Sequence, residues 1–233
     1  MSFRFEQGEI LLVNKPLTWT SFDVVGKIRS LLRSTLGVRK IKIGHAGTLD
    51  PLASGLLILC TGKFTKRIDE FQGLEKEYTG TFRLGATTPS FDCETEVDQT
   101  FALDAVTEER IRQAAIQFTG TFNQVPPAFS AMKVGGKRAY DYARKDIEVE
   151  IKPRQVTISG FEITSIRLPE VDFRITCSKG TYIRSLARDI GLYLGCGAHL
   201  AALCRTRIGP YFLRDAWEID VLHTQMIESA REK

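Results

Sequence analysis

One carboxylate in this chain stands in unusual company. Asp50 lies within Gly44-His45-Ala46-Gly47-Thr48-Leu49-Asp50-Pro51-Leu52-Ala53-Ser54-Gly55, a stretch with three glycines, a proline and two hydroxyl residues. That composition specifies a turn rather than a helix interior. Pro51 confines the backbone of Asp50 to extended conformations, and the glycines allow another backbone or a ligand to approach closely. The apolar Leu56-Leu57-Ile58-Leu59 follows; it reads as a buried strand or a short helix, which periodicity over four residues does not distinguish. A loop on such a rigid anchor is a place for a reactive group. The same residues also suit a tight turn whose Asp bonds its own backbone. They do not form a Walker-type phosphate loop, because no Gly-Lys-Ser/Thr closes the stretch.

Other chemistries find less support. A glycosidase needs a second carboxylate beside the first, and no motif singles one out. His45, His199 and His223 form no ligand cluster, and the five cysteines include no Cys-x-x-Cys spacing, so a structural zinc is not expected. The odd cysteine count reads as reduced thiols in a cytoplasmic protein. No apolar run reaches membrane-span length, and Met1-Ser2-Phe3-Arg4-Phe5-Glu6 lacks the apolar core of a signal peptide. A net charge of +4 permits an anionic partner without demanding one. The 233 residues, 43% hydrophobic and 26% charged, suit one soluble globular domain spanning 1–233.

The elements that must position Asp50 can be read in order. Residues 9–13 predict a strand stopped by Asn14-Lys15-Pro16. Thr20 or Ser21 caps a helix with Val24, Ile28, Leu31 and Leu32 at helical spacing and Gly37 as its stop. A basic run, Arg33 to Lys42, suits either a solvated surface or a phosphate-contacting edge. Thr65 to Phe71 predicts a short helix, 77–85 a half-buried strand with Tyr78, Phe82 and Leu84 on one parity, and 107–119 a helix ended by Gly120. Residues 123–152 are the least core-like: Lys133, Lys137, Arg138, Arg144 and Lys145 interleave with Tyr140 and Tyr142. That pattern suits a segment gripping a polyanion, or an exposed helical hairpin. Strands at 155–165 and 171–177, a helix from Thr181 to about Leu194, an apolar stretch His199 to Leu203, a strand at 211–213 and a terminal helix complete the chain.

Several motifs occur together. The Asp50 loop, Asn14-Lys15-Pro16, Lys76-Glu77-Tyr78, Gln124-Val125-Pro126-Pro127 through Lys137-Arg138-Ala139-Tyr140, Cys177-Ser178-Lys179-Gly180-Thr181-Tyr182-Ile183-Arg184-Ser185-Leu186, and Leu203 to Gly209 resemble the TruB family of tRNA pseudouridine synthases over roughly residues 8–213. Ala46 and Ser54 stand where that family usually or often has Thr. About twenty residues follow the last strand, too few for the C-terminal PUA domain that many members carry.

The resemblance implies an α+β pseudouridine synthase fold: a long mixed, mainly antiparallel sheet with flanking helices and a central cleft. It implies tRNA as partner, through the T stem-loop, with the T-loop uridine at tRNA position 55 as target. No cofactor, metal, membrane or obligatory protein partner is expected. Asp50 would be the essential carboxylate, adding to uracil C6, attacking C1′ or taking the ribose 2′ proton. Arg184 would hold it ionised, and Tyr78 would place its ring on the base. His45 would help extrude the nucleotide. Tyr182, Leu203 and Lys15 would line the substrate site, while Lys133, Lys137, Arg138 and Arg144 would meet the RNA backbone. A non-catalytic tRNA-binding or tRNA-folding module with the same cleft is the alternative.

Overall fold

The computed structural model describes residues 3–38, 40–130, 132–134, 136–143, 145, 147 and 149–231. In chain order the elements are β1 (Ile10–Lys15), α1 (Ser21–Leu36), β2 (Ile43–His45), β3 (Ala53–Thr61), a 3-10 turn (Gly62–Arg67) leading into α2 (Ile68–Gly73), and β4 (Lys76–Leu84). The short β5 (Ala86–Thr87) and β6 (Gln99–Thr100), α3 (Glu108–Gln117), β7 (Gly120–Gln124), β8 (Lys133–Val134), β9 (Lys137–Arg138) and α4 (Ala139–Ala143) follow. The chain closes with β10 (Arg154–Arg167), β11 (Glu170–Cys177), α5 (Ile183–Leu194), β12 (Ala198–Ile208), β13 (Tyr211–Phe212) and α6 (Ile219–Arg231). Two compact units result: one combines the residues up to Tyr78 with those from Cys204 on, the other holds Thr79–Leu203. Strands β4 and β12 supply residues to both.

In the first unit β3 is the central strand. It pairs antiparallel with β1 from Ile10↔Cys60 to Lys15↔Gly55, with β2 from Ile43↔Thr61 to His45↔Leu59, and is flanked on its other edge by β12. Both faces of β3 are covered. Leu57 and Leu59 pack with Val24, Ile28 and Leu32 of α1 and Leu222 and Met226 of α6. Leu56, Ile58 and Cys60 pack with Ala46, Phe71 and Ile208. Burial on both sides is why the sequence here is a continuous apolar run with no alternation. Helix α1 starts where its sequence says it should. The Thr20 hydroxyl accepts from the Asp23 N–H while Asp23 reaches back to the Thr20 N–H, and Gly37 closes the helix at φ 68°.

In the second unit β4, β11, β10 and β7 lie side by side, with the first half of β12 next to β4. β10 and β11 pair antiparallel from Ile158↔Cys177 to Arg167↔Glu170, with register shifts at Ile158/Gly160 and Ile163/Ser165. Phe82 and Phe173 stack at 4.1 Å between ring centroids, and α3 and α5 contribute Ile111, Ala114, Ile190 and Leu194 to the same core. Gly80 has no side chain because a Cβ there would meet the carbonyl of Ala202. Two readings need adjustment. Residues 120–124 continue past the helix stop as β7, paired with β10 from Ile158↔Gly120 to Arg154↔Gln124. Residues 198–208 form a single strand, because the polar Arg205 within it is buried rather than marking a loop.

Candidate active site

Asp50 sits half-buried on the loop between β2 and β3. Several bonds within the first unit hold that loop. Ala46 N–H donates to Ile58 O at 2.9 Å, and Ala53 N–H donates to Asp50 O at 3.0 Å. The Ser21 hydroxyl, at the start of α1, takes both backbone groups of the neighbouring Leu49: it accepts from its N–H at 2.9 Å and donates to its carbonyl at 3.2 Å. Leu49 itself is buried. Thr18 N–H donates to Pro51 O at 2.8 Å, with Thr18 at φ 71°, a left-handed conformation unusual for a β-branched residue. The turn chemistry legible in the sequence is therefore locked by contacts from α1 and the segment before it.

Beneath the loop lie two buried cations. Lys15, the last residue of β1, is fully buried. It shares its face with Leu11 and Val13, and its ammonium donates to Trp19 O at 2.5 Å, Pro16 O at 2.9 Å and Pro51 O at 3.5 Å. Burial pulls its pKa down to about 8; Asp50 opposes that shift, Arg205 adds to it, and Asp23 opposes it again. Arg205, on β12, is 1% exposed. Its Nε donates to Leu56 O at 2.8 Å and one terminal nitrogen to Gly47 O at 3.1 Å. His45 lies in reach of the same charge: burial first, then Arg205, lowers its pKa, so the imidazole is held neutral, while the backbone of Gly47 works the other way. Tyr78, half-buried, shares its β4 face with Lys76, Gly80, Phe82 and Leu84.

In the second unit a polar cluster surrounds the start of α5. Arg184 is sunk in the fold, its Nε 3.5 Å from Asp92 Oδ2 with both side chains at most 6% exposed. Its terminal nitrogens donate to Ser90 O at 3.2 Å and Phe129 O at 2.8 Å. The Glu94 N–H donates to the other Asp92 oxygen at 2.9 Å, and Phe91 beside it adopts φ 63°. A guanidinium with this many fixed partners has one orientation. Tyr182, at the N-cap of α5, is gripped by the Gln124 amide, which accepts from its N–H at 2.8 Å and donates to its carbonyl at 3.1 Å. The guanidinium of Arg154 lies 5.3 Å from the Tyr182 ring centre. Leu203 is half-buried on β12.

The sequence from 33 to 183 matches the model of the TruB family pseudouridylate synthase N-terminal domain, and 184–233 matches that of the tRNA pseudouridylate synthase B C-terminal domain. The chain belongs to the TruB family. Curated relatives named tRNA pseudouridine synthase B include one from Flavobacterium johnsoniae, 54% identical over 94% of this chain and 96% of its own, and one from Parabacteroides distasonis, 58% identical over 90% and 89%. Among solved structures, a Cbf5-Nop10-Gar1 complex matches with TM-score 0.71 at 28% identity, and an archaeal box H/ACA sRNP Nop10-Cbf5 complex with TM-score 0.68 at 27%. Both alignments cover 97% of this chain but only 60% and 59% of theirs. The α+β pseudouridine synthase fold expected from the sequence is thus the fold found.

For this TruB-family chain, the structure sets Lys15 and His45 within electrostatic reach of Arg205 and Asp50 within that of Lys15 in the first unit, and Tyr182 and Arg184 at one helix start in the second. Lys15 is buried with its amine on three carbonyls, so its place is beneath the loop. Backbone pairing makes Lys133↔Arg138 and Val134↔Lys137 a small hairpin; the side chains of Lys133, Lys137 and Arg138, and all of Arg144, lie outside the described residues. Sequence reasoning passed over Ser21, Asp92, Gln124 and Arg205. Ser21 was visible only as a helix cap. Asp92 was one of several acids in a loop, and Arg205 one of two arginines flanking Thr206.

Proposed function

We propose that this protein isomerises uridine to pseudouridine in tRNA, acting on the T stem-loop at the uridine of tRNA position 55. The observation that carries the reading is the Asp50 loop, bolted from both sides and underlain by Lys15 and Arg205, in a chain 54–58% identical to proteins named tRNA pseudouridine synthase B. The reaction breaks the bond from uracil N1 to ribose C1′, turns the base and joins C5 to C1′; N1 gains a proton and C5 loses one. Atoms and electrons balance, so no redox partner is called for. A uridine stacked in a loop must first be extruded, at a cost of a few kcal/mol.

Asp50 supplies the carboxylate, through addition to C6, attack on C1′ or removal of the 2′ proton; each requires the ionised form held in place. Arg184 is the cation that keeps it so, and the Asp92, Ser90 and Phe129 contacts support that role by fixing the guanidinium. Tyr78 stacks on the uracil, Tyr182 and Leu203 complete its pocket, and a neutral His45 assists extrusion. Lys133, Lys137, Arg138 and Arg144, in the 123–152 segment, meet the RNA backbone of the T arm. The protein works in the cytoplasm, without an obligatory protein partner.

The test uses tRNA transcribed with uridine tritiated at C5. Wild type should release tritium and leave one pseudouridine, at position 55. Asp50→Asn should bind the same tRNA within about threefold and release none. Normal turnover by Asp50→Asn would refute the assignment, product at another position would refute the T-loop target, and tRNA binding with no release by wild type would favour the non-catalytic module.

A further inference from the structure

Arg205 has no assigned role, yet it is among the largest side chains fully buried in the protein. A guanidinium removed from water is costly unless its donors are used in a fixed geometry. A strand position facing a core is more cheaply filled by an apolar residue. Here the charge is placed where it touches both flanks of one loop. Nε donates to Leu56 O at 2.8 Å, six residues after Asp50, and a terminal nitrogen donates to Gly47 O at 3.1 Å, three residues before it. The strand carrying Arg205 comes unusually close to the same loop. Gly55 stands at φ 106°, and a Cβ there would collide with the backbone of Arg205. Gly47, at φ 98°, leaves its carbonyl turned to the guanidinium.

We infer that Arg205 is a positioning residue for the Asp50 carboxylate: it cross-links the entry and exit of the loop to β12 and so sets where Asp50 stands, without touching substrate. This rests on the proposed isomerase reading. The planar fork makes the bridge possible, since two separated nitrogens each meet one carbonyl in a fixed geometry; a lysine's one nitrogen cannot stand at both positions. A carboxylate displaced by an ångström loses turnover on the order of 100-fold, while RNA binding, which draws on surface cations, is left alone.

The experiment compares Arg205→Lys and Arg205→Met with wild type by tritium release under saturating and limiting tRNA, by tRNA affinity and by thermal unfolding. Arg205→Lys should keep its fold, with KM and Kd for tRNA within about twofold of wild type and kcat down about 10- to 100-fold. Arg205→Met should lower kcat further. The inference is overturned if Arg205→Lys unfolds at lower temperature with kcat unchanged, which makes the residue purely structural. It is equally overturned if KM rises with kcat unchanged, which makes it a substrate contact. If Arg205→Met does not fold, the Arg205→Lys result decides by itself. Failure of the isomerase reading looks different, because wild type would then release no tritium.

Discussion

Lys15→Met tests how the loop is supported, and the structure sets both its size and its pH dependence. Methionine keeps the length and apolar volume of the buried side chain but donates no hydrogen bonds. Pro51 O retains the Thr18 N–H, whereas Pro16 O and Trp19 O lose the ammonium. Two part-buried carbonyls thus lose their ammonium donor, at a cost of about 2–4 kcal/mol. Relief from burying a charge offsets part of that, so the variant should be less stable than wild type by about 2–3 kcal/mol at pH 7. The pH dependence follows from the depressed folded pKa of about 8 against 10.5 for an ordinary lysine. Between those values the unfolded chain binds more protons than the folded one, so wild-type stability rises with pH there, at a slope approaching ~1.4 kcal/mol per unit. Below pH 8 both states are protonated and this contribution is flat. Methionine does not titrate, so the gap between the two proteins should widen from pH 8 to 10 and stay level from 6 to 7.5. Urea unfolding of both proteins across that range measures it directly. Turnover should run the other way and fall above pH 8, as Lys15 loses the charge that stands among Asp50, Arg205 and Asp23. A gap that is constant or narrowing on the alkaline side would refute the buried-cation account.

Asp92→Ala removes the carboxylate from a buried ion pair, and should cost about 3–5 kcal/mol, seen as a fall in Tm of roughly 8–15 °C; an unchanged Tm would mean that the pair contributes nothing. Thr18→Gly relieves a left-handed β-branched residue, worth about 1–2 kcal/mol, less the entropy that glycine adds to the unfolded chain, so a net gain of about 0.5–1 kcal/mol is expected in urea melts. Replacing Lys133 and Lys137 together with Ala should weaken tRNA binding and flatten the plot of log affinity against log salt by about two charges' worth. A salt slope equal to wild type would remove those residues from the RNA interface.

Local chemistry explains what was legible. The Asp50 loop, the Thr20–Asp23 cap and the Gly37 stop each depend on residues within a few positions of one another, and each stands where the sequence placed it. The strand at 53–61 was ambiguous because burial on both faces erases the period that separates strand from helix. Lys15 could have been placed by extending the Leu11–Val13 alternation by two residues, but Asn14-Lys15-Pro16 reads as the stop of that strand. Asp92 and Arg205 had no such signal. Each is one of several like charges in its neighbourhood, and nothing adjacent marks which one the fold will bury.

The order of residues by itself determined that a single carboxylate would be presented on a stiff turn, because glycine and proline restrict or free the backbone wherever they occur. It also determined the family, because six separated motifs had to coincide. Only tertiary structure decided what holds that carboxylate. Ser21, Lys15 and Arg205 reach its loop from 29, 35 and 155 positions away along the chain, and a buried cation acquires such a role only when distant strands close over it and offer it backbone carbonyls in place of water.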